Sequence, residues 1–396
     1  MVGGGGEVVR VQALAESGSG SGVPNIINVP SQFIQPPEKR PVLGPGPGPG
    51  GESGVPVVDL SDWEGAREEV GRACRDWGGF QVRNHGVGIG LLNQMRSAGL
   101  HLFRECSMEE KLRYSCDPHT PASEGYGSRM LQVVDNIESV VLDWRDYFDH
   151  HTFPLSRRDP TRWPQFLPNY RELVAAYSDE MKKLALKLLS LISQSLGLPS
   201  SCIQDKIWGE EEEEEEEVYQ NVTVSYYPPC PRPDLTLGLQ PHSDMGALTL
   251  LVQDDVGGLQ LLKDDHNWVT VPPISDAILV LLADQTEIIS NGKYRSAPHR
   301  ALTNPHYPRL SVATFHDPSK TLGGLLRDQR GDVYGVFARR VATRFSPEAA
   351  EAVAVREGLQ FSIQSGFVVH VIETNAATVL QAIQRRIFGS QIAPLI

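Results

Sequence analysis

Cysteine is scarce in this chain: Cys74, Cys106, Cys116, Cys202 and Cys230 are the only five in 396 residues. An odd number without tight spacing excludes a disulfide framework and a thiolate zinc pattern, and fits a reducing compartment. A secretory apolar stretch is missing after Met1. Val2 stands where N-myristoylation needs glycine, and no apolar run is long enough to span a bilayer. Positive charge is in deficit, with a formal net charge of −13. That balance argues against a nucleic-acid partner, whose phosphates need a basic face. The expectation is a cytoplasmic protein with neither a membrane nor a nucleic-acid partner, and a monomer by default.

Core-forming residues are also sparse at the start. Residues 1–54 hold a Gly run at 3–6, a Ser-Gly stretch from Ser17 to Gly22 and a Gly-Pro stretch from Gly44 to Gly50. Such segments bury too little apolar surface to offset their ordering entropy, so a flexible arm is expected, apart from a short helix within Val8–Glu16. The eight glutamates from Glu210 to Glu217 read as a solvated, self-repelling loop within 201–220.

What is present begins at Val55–Leu60, a β-branched strand. Residues 65–77 have helical apolar spacing, Phe80–Val82 reads as a strand and Leu91–Phe103 as a helix. Ser107 to Glu110 has capping-box spacing. A long amphipathic helix runs from Tyr170 to Leu196 and stops at Gly197 and Pro199. From Asn221 the character changes to short strand-like runs: 222–227, 248–253, 259–262, 268–271, 277–282 and 310–315. Regular turns between them suggest an all-β sandwich or jelly roll. The expected divisions are a region at 55–200, a β core at 221–320 and a segment of different character at 321–396.

The chemistry concentrates in the β core. His242 and Asp244 sit two residues apart, so on a strand both face one side. His299 follows 57 residues later, and a β sandwich can return it beside the first pair. Two imidazoles and a carboxylate form the facial set that suits non-haem Fe(II) and oxygen chemistry. Arg309 and Ser311 also alternate onto one strand face. A guanidinium fork matches a carboxylate bidentately, a serine hydroxyl can donate to the same group, and Tyr227 can add a third donor.

Several runs resemble the plant 2-oxoglutarate- and Fe(II)-dependent dioxygenases. They are Val222–Leu239, His242-Ser-Asp, Gly257-Gly-Leu-Gln, Ser290–Ser296 and His299-Arg-Ala, with Val55–Leu60 and Trp77–Val87 from that family's N-terminal region. The resemblance, from about residue 25 to about 320, points to the branch of anthocyanidin synthase, flavonol synthase and the jasmonate oxidases. It implies an α+β fold, with a double-stranded β-helix (jelly-roll) core flanked by helices and a mainly helical N-terminal region. It implies Fe(II) on His242, Asp244 and His299. It also implies 2-oxoglutarate held at its far carboxylate by Arg309 and Ser311 with Tyr227 assisting, O₂ as oxidant and ascorbate as reductant. Tyr147 and Phe315 fall where relatives place substrate-lining aromatics. The implied reaction hydroxylates or desaturates a small plant metabolite or hormone, flavonoid- or jasmonate-like, and releases succinate and CO₂. An ascorbate-dependent enzyme of the aminocyclopropane-carboxylate-oxidase type and a non-catalytic binding protein on the same fold are the alternatives.

Three places depart from the family's pattern. Ser225 replaces the usual asparagine two residues before the tyrosine. Asp149 stands where some flavonoid-acting relatives carry phenylalanine, and Asp149-His150-His151 offers the ligands of a second metal site but reads rather as a polar loop, solvated or substrate-facing. After about Leu322 the usual closing tail is absent. Helices at 346–356 and 374–388 and a strand at 367–372 are expected there, either as a replacement lid or as the product of an altered reading frame or retained intron.

Overall fold

The computed structural model describes residues 10–16, 29–41, 54–116, 124–127, 141–208, 218–263 and 267–318, together with the backbone of 321–327 and 333–340. The N-terminal half contains α1 (Val11–Glu16), β1 (Val57–Asp59), α2 (Trp63–Asp76), β2 (Gly79–Arg83), α3 (Ile89–Arg104), α4 (Met108–Leu112), β3 (Gly125–Gly127), β4 (Asp146–Phe153), α5 (Tyr170–Ser195) and α6 (Cys202–Trp208). The C-terminal half contains β5 (Tyr219–Tyr227), β6 (Leu239–His242), β7 (Leu248–Gln253), β8 (Leu259–Leu262), β9 (Trp268–Thr270), β10 (Ile278–Leu282), α7 (Asp284–Ile289), β11 (His299–Ala301), β12 (Arg309–Asp317) and a hairpin of β13 (Thr321–Arg327) and β14 (Val333–Arg340).

Local chemistry sets the helix ends. The Asp62 side chain accepts from the Gly65 N–H and starts α2, and Ser107 and Glu110 form a reciprocal capping box on α4. Helix α5 buries Tyr170, Val174, Tyr177, Met181, Leu184, Leu188 and Leu191 along one stripe. It stops where Gly197 takes a left-handed φ of 76°, with the Leu198 N–H returning to the Ser193 carbonyl at 3.0 Å.

The strands form a large sheet of order β1-β2-β10-β7-β12-β5-β4-β3 and a small one of order β6-β11-β8-β9. Two-residue alternation sorts the large sheet into two faces. Val222, Val224, Tyr226, Leu248, Leu250, Val252, Leu310 and Val312 join the main core with α3 and α5. The close fit shows at Gly99 of α3, where a Cβ would come within 2.9 Å of Val224 and 3.0 Å of Leu310. On the opposite, inner face, Leu251, Leu279 and Leu281 meet Leu259 and Leu261 of the small sheet. The fold is α+β: a double-stranded β-helix, or jelly roll, flanked by helices.

Four strands of the large sheet come from residues before 200, so the region expected at 55–200 builds part of the barrel wall. The expected 201–220 loop begins as α6 and ends as the first residues of β5; the glutamate run lies outside the described residues. Within the expected arm, two described stretches are packed. Val11, Ala15, Val29 and Phe33 cluster with Trp144 and Cys230, with the Phe33 and Trp144 rings edge-to-face at 5.1 Å. Burying such an aromatic is worth about 1.5–3 kcal/mol. The Val11 and Gln12 N–H groups also donate to the buried Asp146 carboxylate. A few apolar residues amid glycine therefore suffice to dock these stretches.

The polar loop expected at 149–151 is instead the middle of β4, paired throughout by β5 and, at Asp149, by β3 as well. His150 is fully buried: its Nδ1 meets the Val222 carbonyl at 2.8 Å and its Nε2 the Tyr170 hydroxyl at 3.0 Å. His151 is buried beside Glu124 and Arg157. Both histidines are satisfied inside the sheet rather than solvated. The elements expected at 346–356, 367–372 and 374–388 lie outside the described residues. Among the described residues no helix is long and apolar enough to cross a membrane.

Candidate active site

His242 ends β6 and His299 begins β11, and the two are direct partners across that antiparallel pair. Their rings lie 4.2 Å apart between centroids. Asp244 lies beyond the end of β6, so strand alternation, the expectation from its spacing, is not what aims it. The turn after His242 does so, held by the Asp284 N–H donating to the Asp244 carbonyl at 2.9 Å.

The hydrogen bonds around the three side chains fix their lone pairs. His242 Nδ1 lies 2.8 Å from the Gln240 carbonyl and His299 Nδ1 2.8 Å from the Ala297 carbonyl. A carbonyl only accepts, so each Nδ1 carries the hydrogen and each Nε2 is left with a lone pair. Those Nε2 atoms lie 3.6 Å and 3.8 Å from Asp244 Oδ1. The other oxygen, Oδ2, accepts from the Thr249 hydroxyl at 2.6 Å. Burial, reinforced by the neighbouring His299, pushes the proton affinity of His242 well down. The close approaches to Asp244 are therefore a convergence of lone pairs rather than ion pairs. All three ligand atoms lie within 4.8 Å of one another. Three acceptors turned toward one point with no donor among them suit a divalent cation, and the N, N, O set with a held carboxylate suits Fe(II).

Register places the remaining candidates on the inner face. Arg309 of β12 sits opposite Tyr227 of β5, and Ser311 opposite Ser225. The next rows run Tyr147–Ser225–Ser311–Gln253, Asp149–Thr223–Ala313–Leu251 and His151–Asn221–Phe315–Thr249. Tyr147 and Phe315 are both half-buried, and Phe315 is the strand neighbour of the threonine that holds Asp244.

Arg309 is only 2% exposed. Its Nη1 lies 3.3 Å from Ser311 Oγ and its guanidinium 4.8 Å from the Tyr227 ring centroid. Its Nε and Nη2 are buried without a hydrogen-bond partner. Leaving buried charged donors unmatched is costly, so the fork is set for an anion. Gly238 makes this corner possible, because a Cβ there would come within 2.6 Å of the Tyr227 ring.

The sequence motifs gave no reason to single out Thr249, Gly238 or Arg145. Thr249 lies in an ordinary apolar strand, and Gly238 falls inside the family-like run Val222–Leu239 with no role of its own. Arg145 precedes β4 with its guanidinium 5.3 Å from the Tyr147 ring centroid and Nη1 3.3 Å from Ser225 Oγ. A lone arginine before a strand carries no signal of its own; register counting from Tyr227 and Ser225 would have found it had β4 been recognised.

Comparison with known proteins agrees with this geometry. The 2OG-Fe(II) oxygenase superfamily model matches residues 218–318, and the model for the non-haem dioxygenase in morphine synthesis N-terminal region matches 55–170. A model described as reverse transcriptase-like matches 311–395, overlapping the first at β12. Jasmonate-induced oxygenase 1 of Arabidopsis thaliana is 38% identical over 80% of this chain and 75% of its own length. Flavonol synthase 1 of Crocosmia x crocosmiiflora is 36% identical over 79% of this chain and 88% of its own. The leucoanthocyanidin dioxygenase of Vitis vinifera is 35% identical over 78% and 85%. Among solved structures, JOX2 in complex with 2OG, Fe and JA has 35% identity and a TM-score of 0.67, covering 84% of this chain and 91% of that one. The chain belongs to the 2OG-Fe(II) oxygenase superfamily and is a 2-oxoglutarate-dependent dioxygenase whose cofactor is Fe(II).

Proposed function

We propose that His242, Asp244 and His299 hold the Fe(II), that Arg309 and Ser311 with Tyr227 hold the far carboxylate of 2-oxoglutarate, and that Tyr147 and Phe315 line the substrate space. The observation that carries this reading is the convergence of two Nε2 lone pairs and Asp244 Oδ1 on one point. Bound Fe(II) supplies the redox chemistry that couples decarboxylation of 2-oxoglutarate to oxidation of the substrate by O₂.

The chain's own residues supply orientation and a dry wall. The Nδ1–H bonds to Gln240 and Ala297 stop the imidazoles from turning, and Thr249 occupies Oδ2 so that Oδ1 faces inward. The Arg309 fork and the Ser311 hydroxyl fix one end of the co-substrate. Leu251, Leu259, Leu261, Leu279 and Leu281 close the space between the sheets and exclude water.

The substrate is a small flavonoid- or jasmonate-like plant metabolite, hydroxylated or desaturated with release of succinate and CO₂. The relatives' names support that class. The two polar rows beyond Tyr147, where Thr223 donates to Asp149 at 2.6 Å and Arg157 reaches both His151 and Asn221, suit a substrate that brings hydrogen-bonding groups of its own. Ascorbate serves as reductant, the protein acts as a monomer, and the five free cysteines suit the cytoplasm. Residues 321–396 are taken as a segment distinct from the 221–320 core; the reverse transcriptase-like match at 311–395 covers nearly all of it but also overlaps the core at β12. The test is substrate-linked succinate: metabolite extracts with Fe(II), ascorbate and 2-oxoglutarate should yield succinate in step with a product that has gained oxygen or lost two hydrogens. Oxidation without succinate would favour the purely ascorbate-dependent type.

A further inference from the structure

Asp146 pairs with Tyr226 across β4 and β5. Arg145, one residue earlier, is therefore level with Tyr227, whose other neighbour is Arg309. Two guanidinium groups thus flank one tyrosine on the inner face. Each reaches a serine, Arg309 to Ser311 and Arg145 to Ser225, both at 3.3 Å, and those two serines are themselves register partners. Arg145 lies over the Tyr147 ring, so its stem is fixed against an aromatic. Its Nε is buried without a hydrogen-bond partner. The charge of the neighbouring Asp143 acts on it, but Asp143 Oδ1 accepts from the Gln240 N–H rather than from the guanidinium. A half-buried cation with one unmet buried donor, next to a buried one with two, leaves donors that an anion lying between them would satisfy.

We propose that Arg145, held by Ser225 and Tyr147, is a second positioning residue for 2-oxoglutarate, so that the co-substrate meets a guanidinium from β4 as well as one from β12. This rests on the reading of Arg309 as the first carboxylate anchor. Ser225 is short enough to leave room for the arginine, and its hydroxyl orients Nη1. The dianion then lies against two Arg–Ser pairs instead of one.

The test is 2-oxoglutarate binding to the full chain loaded with Mn(II), a redox-inert stand-in, measured by calorimetry with no turnover. Arg145→Gln should weaken binding by about ten-fold or more, the size of a lost hydrogen bond to a charged group, while Mn(II) affinity alone stays unchanged. Arg145→Lys keeps the charge without the fork and should fall between the two, with its melting midpoint near wild type. Arg309→Gln is the reference. If Arg309→Gln loses 2-oxoglutarate but Arg145→Gln binds it like wild type, the inference fails and the anchor reading stands. If Arg309→Gln also binds normally, the anchor reading fails. A fall in Mn(II) affinity matching the fall in 2-oxoglutarate affinity would also overturn the inference, since Arg145 would then act through the metal site.

Discussion

His242 and His299 are 57 residues apart in sequence and direct partners across β6 and β11. The pairing places both imidazoles at one end of the small sheet, each with Nδ1 tied to the carbonyl two residues before it. The proposed metal site is thus a product of strand register, and the third group, Asp244, is aimed by a turn and a threonine.

Thr249→Val tests that threonine. It keeps the volume but removes the donor to Asp244 Oδ2, freeing the carboxylate to rotate. Fe(II) affinity should fall by about ten-fold or more, as when an outer hydrogen bond to a metal ligand is lost. Competition with a chelator measures it, and thermal stability should change little.

Arg309→Lys keeps the charge and loses the planar fork. KM for 2-oxoglutarate should rise by about ten-fold or more, with a smaller effect on kcat. Arg309→Gln should raise KM further. Steady-state succinate formation at saturating organic substrate separates the two constants.

Gly238→Ala should act on the same corner from outside it. The added methyl would overlap the Tyr227 ring, 2.6 Å from the Cβ position, and push it toward Arg309. Weaker 2-oxoglutarate binding with unchanged iron content is the expected pattern. Parallel loss of both would show that Gly238 serves the strand rather than the tyrosine.

Acid should destabilise the fold through buried histidines that are not among the proposed metal ligands. Burial pushes His150 and His316 down to about 4 from an ordinary 6.5. Between those values the unfolded chain takes up protons that the folded chain refuses, so stability is full above about pH 6.5 and falls toward pH 4. Each unit of separation corresponds to about 1.4 kcal/mol per group. The buried carboxyl of Asp317, pushed up to about 7, acts in the opposite direction over the same range, so the check is a difference: the melting midpoint of His316→Gln should fall less than that of the wild type from pH 7 to pH 5. An equal change in both chains would contradict it.

Strongly patterned elements could be read from the sequence. The runs at 248–253 and 259–262 match β7 and β8 end for end, and the Tyr170 helix ends within one residue of its expected stop. Strand β4 could not be read this way. Its Asp-His-His centre breaks apolar alternation, because both of its faces carry polar groups satisfied by partners far away in sequence, Val222, Tyr170 and Thr223 among them. Strands β3 and β11, at three residues each, are too short for any periodicity to show. The docking of α1 depends on Asp146, more than 130 residues away, which local composition cannot register. For the site, residue spacing singled out His242, Asp244, His299, Arg309, Ser311 and Tyr227, and the family resemblance added Tyr147 and Phe315; register then supplied what these lacked: Arg145 beside Tyr227, Thr249 behind Asp244, and the common face they share with Phe315.

Anaerobic Fe(II) content of the wild-type chain and of His242→Ala, Asp244→Ala and His299→Ala, measured after desalting, bears most directly on the site. One equivalent should remain on the wild type and almost none on each variant, with all four chains melting cooperatively. Iron retained by a variant lacking His242 or Asp244 would place the metal elsewhere and contradict the assignment.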